Sequence, residues 1–134
     1  MRYENIDFVP PKAVAKEAEK GLEYRALAGG KGGLNVSDAK KQGVGSGVQR
    51  AVNLKNRDRL SPDTVKRMKA FFSRHKKNKV IDPKYKETPW KDRGYVAWLL
   101  WGGDSGYTWA NRIVAEMAKA DKKMSTRVVQ AFIA

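Results

Sequence analysis

Cysteine is absent from the 134 residues, which removes disulfides, thiolate zinc sites and cysteine nucleophiles together and agrees with a reducing compartment. Histidine occurs once, at His75. With no H-E-x-x-H or paired-histidine spacing, a metal site built from protein ligands is not expected. Long apolar runs are also missing. The N-terminal MRYENIDFVPPKAV holds no stretch of signal-peptide length, and VAWLLW at 96–101 is far short of the roughly 20 residues that span a bilayer. No membrane partner is expected. Acid is scarce beside base: 14 Asp and Glu against 28 Lys and Arg give +14, an excess that points to a polyanionic partner and says nothing about fold.

What the chain does have is an apolar fraction of 41%, with four Trp, four Phe and five Tyr. That suffices for one hydrophobic core in one domain. The charge is uneven: residues 31–60 carry seven bases against two acids and 61–90 nine against three. The middle of the chain therefore holds most of the excess.

Hydrophobic spacing reads as helix in several places. An extended arm over 1–10 ends at Pro10-Pro11, and AVAKEAEKGLEYRAL follows with Val14, Ala18, Leu22, Tyr24 and Leu27 near helical spacing and Gly21 as a weak point. GGKGG stops it, a short turn of helix is capped by Ser37 or Asn35, and VQRAVNLKN after Gly47 makes two to three turns. Ser61-Pro62-Asp63 is the clearest helix start, combining a capping hydroxyl, an imino acid with no amide to lose and an acid at the positive end. That helix is expected to reach Lys79, with Val65, Met68, Phe71, Phe72 and His75 on one arc and Lys66, Arg67, Arg74 and Lys77 on the other. IDPKYKETPW reads as an irregular surface connection. The apolar run from Tyr95 fits a buried helix or a central strand equally by periodicity. Asp104 is placed to cap a helix through Asp121, and a last short helix over 125–134 is expected to dock its apolar edge. The fold class is therefore mainly α: a single helical domain of about four to six helices with a glycine-rich connecting segment.

Chemistry is sparse. Neither G-x-x-x-x-G-K-[ST] nor a strand before GVGSG exists, so no nucleotide loop is met, although a nest of amides leading into the helix after Gly47 could hold a backbone phosphate with Lys40, Lys41 and Arg50. His75, on the apolar side near a helix C-terminus where imidazolium is favoured, reads as structural. Asp104 reads as an N-cap and Asp92, beside Arg93, as an exposed helix-start residue; no triad or carboxylate dyad stands at a recognisable spacing, and no catalytic role or cofactor is assigned. The cluster Trp98, Leu99, Leu100, Trp101 reads as core, leaving Trp90 as the ring most open to stacking a base. Seven bases, Lys66, Arg67, Lys69, Arg74, Lys76, Lys77 and Lys79, face only Asp63 between 61 and 79, and Arg57 and Arg59 precede them. This makes a continuous phosphate-binding footprint the leading expectation.

The strings LSPDTVKRMKAFFSRH and AWLLWGGD, with VPPKAVAKEAEKGLEYR and GVGSGVQRA before them, resemble a small domain recurrent in tailed-bacteriophage proteins, over most of residues 9–118. The resemblance carries no catalytic mechanism. It implies a phage or prophage setting, with the protein in the host cytoplasm during infection and packaged in or attached to the virion. Two functions are thus expected in competition: non-specific binding of double-stranded DNA or another nucleic acid through phosphates, or a virion-associated adaptor whose basic face meets an acidic virion or host protein.

Overall fold

The computed structural model describes residues 3–29 and 47–133, with backbone alone from 124 onward. Five α-helices are present there: α1 (Lys12–Leu27), α2 (Gly47–Lys55), α3 (Pro62–Arg74), α4 (Arg93–Leu100) and α5 (Gly103–Ile133). Three short 3-10 turns, Lys76–Lys79, Pro83–Tyr85 and Pro89–Lys91, carry the chain from α3 to α4, and no strand occurs among the described residues. The mainly helical class is the one expected. The short helix expected near Ser37, and Lys40 and Lys41 with it, lie outside the described residues.

Helix α1 packs on α2, α4 and α5, and α3 lies along α5. Between them sits one core containing Val14 and Ala18 of α1, Ala51 and Leu54 of α2, Val65, Met68, Phe71 and Phe72 of α3, Val96, Trp98 and Leu100 of α4, and Trp109, Ala110, Ile113 and Met117 of α5. Of the arc predicted for α3, Val65, Met68, Phe71 and Phe72 are buried, and Ser61 caps the helix as predicted, its Oγ accepting from the Thr64 amide at 3.1 Å. Leu27, assigned to the apolar side of α1, is instead 64% exposed.

Gly21 is not the weak point it was taken for. It is buried where α1 meets α4, and a Cβ there would stand 2.8 Å from the Leu100 amide nitrogen and 3.0 Å from the Leu99 carbonyl carbon. The missing side chain lets two backbones touch, and that contact offsets the glycine's poor helix propensity.

The apolar run after Tyr95 is a helix because Asp92 starts it. Its Oδ1 accepts from the Tyr95 amide at 3.1 Å, and its Oδ2 accepts from the Asp82 amide at 2.8 Å, pinning the preceding turns to α4. Asp92 thus is a helix-start residue as expected, whereas the expectation that Asp104 caps α5 is corrected. Asp104 stands in the first turn of α5, but its Oδ1 accepts from the Trp98 indole Nε1 at 2.9 Å. Trp98 is only 1% exposed, so its N–H needs that partner.

The amides opening α5 are reached by Glu17 of α1, whose Oε2 accepts from the Ser105 amide at 3.4 Å. Burial pushes the Glu17 carboxyl above its usual range; the Ser105 amide, Lys20 and the Asp104 amide oppose that, while the Asp104 charge adds to it. Gly103, at φ +63, leaves the space that the Glu17 carboxylate fills. The two aspartates should respond differently to substitution. Asp92→Ala is expected to cost about 1–2 kcal/mol through loss of the cap. Asp104→Asn, which keeps an acceptor for the indole, should stay within about 0.5 kcal/mol of the parent. Urea unfolding of both variants checks this.

Two further boundaries differ from expectation. Helix α3 ends at Arg74 rather than Lys79: His75 leaves helical geometry at φ −121, ψ 30, and Asn78 of the following turn packs against Gly94 of α4. The separate helix expected over 125–134 is instead the continuation of α5, a single helix of 31 residues. Nothing between Asp121 and Ser125 breaks it, there being neither Gly nor Pro. The expected docking of its apolar edge falls on side chains outside the described ones. The N-terminal arm lies against the body: Phe8 and Pro10 are buried, the Leu60 amide donates to the Phe8 carbonyl, and the Tyr3 hydroxyl donates to Asp121 Oδ1 at 2.8 Å.

Candidate nucleic-acid interface

Helix α3 buries one arc against α5, and the geometry of a 3.6-residue turn leaves the opposite arc to solvent. Lys66, Arg67, Lys69 and Arg74 are all exposed on it. Lys76, Lys77 and Lys79 are exposed as well, but they project from the 3-10 turn beyond the helix and not from its face. The footprint is therefore a helix of about 20 Å with a basic knuckle at its C-terminal end. No ion pair joins any of these seven cations to a carboxylate among the described residues.

His75 sits between the two parts, half-buried, its ring 4.9 Å from that of Phe71. Burial, then the charges of Arg74 and Lys77, push its imidazole below the usual value. The favoured imidazolium expected near a helix C-terminus is thus corrected: burial and like charge outweigh the helix end. The shift favours the neutral ring, and His75 is not counted among the cations of the face.

The arginines before α3 divide. Arg59 is exposed. Arg57 adopts a left-handed backbone at φ 53, closing α2 with its amide on the Leu54 carbonyl, and its Nε donates to the Pro10 carbonyl at 2.8 Å. It fastens the N-terminal arm, a role the sequence pattern did not reveal.

Arg50 is brought to the edge of the same face. Its guanidinium stands 5.9 Å from the Trp101 ring centroid, and Trp101 is stacked on Phe71 at 4.6 Å and 11°. Burial, then the like charge of Arg67, lower the Arg50 value, yet a guanidinium stays charged. Its Nε is buried without an acceptor. Trp90 is half-buried in the Pro89–Lys91 turn, which packs on α1 and α4, so the open ring expected there is not found.

A cleft that sequence reasoning missed opens beside the knuckle. It has a volume of about 330 Å³ and is lined by Lys76, Lys79, Trp98, Asp104, Tyr107 and Thr108. Lys76 and Tyr107 meet there, the ammonium 5.9 Å from the ring centroid, although 31 residues separate them in the chain. Among the described residues no group of three or more His, Asp or Glu is placed to hold a metal ion, and no helix is long and apolar enough to cross a membrane.

No family model, curated protein or solved structure matches this chain.

Proposed function

We propose that this protein binds nucleic acid without sequence preference, through phosphate contacts from the exposed arc of α3 and the turn that follows it. The observation that carries the reading is the row Lys66, Arg67, Lys69, Arg74, Lys76, Lys77 and Lys79: exposed, held on one well-packed helix and its continuation, and unpaired with carboxylate among the described residues. Such cations attract a polyanion and fix its position without reading bases. Arg59 and Arg50 extend the face; Arg57 serves the fold. The resemblance of LSPDTVKRMKAFFSRH and AWLLWGGD supports a phage setting for this activity.

The test is fluorescence anisotropy on two duplexes of unrelated sequence across a monovalent salt series. Both should bind equally, and neutralisation of four to six phosphates gives a slope of log K against log salt of about −4 to −5. Absence of binding near 0.1 M salt would turn the same face toward an acidic virion or host protein.

A further inference from the structure

We infer that the cleft beside Lys76 and Lys79 receives one unpaired nucleotide, so that the protein prefers duplexes carrying a single-stranded end over blunt ones. This rests on the proposed nucleic-acid reading and adds a second mode to it. The cleft's chemistry narrows the ligand. Two ammonium groups beside one carboxylate disfavour a divalent cation, and they disfavour a purely apolar guest, so an anion with a flat apolar part fits best.

Tyr107 supplies the surface for that part. Its contacts with Phe72 and Trp98 are tilted, at 5.6 and 5.8 Å, so no protein ring among the described residues stacks flat on it. Lys76 stands over the ring near the outer limit of cation–π reach. It is exposed and can swing to a phosphate when a base takes its place. Lys79 meets the same phosphate from the other lining position. Asp104 is oriented by the Trp98 indole through Oδ1, which leaves Oδ2 to accept from the exocyclic amino group of adenine, cytosine or guanine.

The geometry also explains why the guest is unpaired: a base inside the duplex cannot place its face on a ring set within a cleft, whereas an overhanging one can. Continuity with the basic face means that a duplex lying along α3 would bring its end to the knuckle.

The experiment compares a blunt duplex with the same duplex bearing a three-nucleotide overhang, using the full chain, Tyr107→Leu and Thr108→Glu. Thr108 is exposed, so its substitution sets a carboxylate at the cleft mouth without disturbing the core. The parent should bind the overhang about five- to tenfold more tightly, and both variants should lose that preference; Tyr107→Leu, which changes no charge, should bind the blunt duplex within about twofold of the parent, whereas the carboxylate of Thr108→Glu beside Lys76 and Lys79 weakens the blunt duplex too, so its readout is the ratio of the two affinities. Equal binding of both duplexes by the parent, or a preference that survives both substitutions, overturns the cleft assignment and leaves the proposed function standing. No binding to either duplex removes both. Free deoxyadenosine monophosphate is the last arm: if it binds more tightly than the overhang, the cleft is a mononucleotide site and the strand-end reading fails.

Discussion

Converting Lys66, Arg67, Arg74 and Lys77 together to glutamine is expected to flatten the salt slope from about −4 to −5 to about −1 and to weaken duplex binding at least a hundredfold near 0.1 M salt, since each lost phosphate contact removes about 0.9 from the slope. All four side chains are exposed, and none is held by a carboxylate among the described residues, so thermal unfolding should move little. His75→Gln is the matched control. Its imidazole is pushed below its usual value by burial and by Arg74 and Lys77, which favours the neutral ring. Undiminished binding by the quadruple variant would move the interface off α3.

The largest effect on stability is expected at Gly21. In an isolated helix, Gly21→Ala would gain about 1 kcal/mol from propensity. Here the new methyl would meet the Leu100 amide nitrogen at 2.8 Å and the Leu99 carbonyl carbon at 3.0 Å. Neither atom belongs to a side chain that could turn aside. Net destabilisation of about 1–3 kcal/mol is expected for Gly21→Ala, and more than about 3 kcal/mol for Gly21→Val. Urea unfolding of the pair measures it, and a neutral or stabilising Gly21→Ala would mean that α1 and α4 do not approach so closely.

Gly21 also illustrates what the sequence could reveal. Features decided within one helix were legible: the start at Ser61-Pro62-Asp63 and the buried set Val65, Met68, Phe71 and Phe72. Features decided across the fold were not. Gly21 looks weak until α4 is laid against it. Asp104 follows two glycines like a cap, but the buried Trp98 indole claims its Oδ1 while Glu17 reaches the Ser105 amide. Asp92 looked exposed because its second acceptor role, toward the Asp82 amide, lies in a turn with no periodicity.

The run RHKKNK has no helix breaker, yet His75 leaves helical geometry and Asn78 of the next turn packs against Gly94. The interface divides the same way. The exposed bases of α3 follow from its period, whereas Arg57's attachment to Pro10 and the meeting of Lys76 with Tyr107 depend on chain paths that no local pattern encodes.

The Glu17 carboxylate that reaches the start of α5 lies 88 positions before the amide it serves. Helix α5 closes its first turn itself, through the Gly106 amide on the Gly102 carbonyl, and the Glu17 contact adds a tie that only closure of a long loop supplies. Asp104, Tyr107 and Thr108 belong to the same opening stretch of helix and form a wall of the cleft. Detachment of α1 would remove the Glu17 contact from that stretch, whereas the capped start of α3 and its seat along α5 involve no residue of α1.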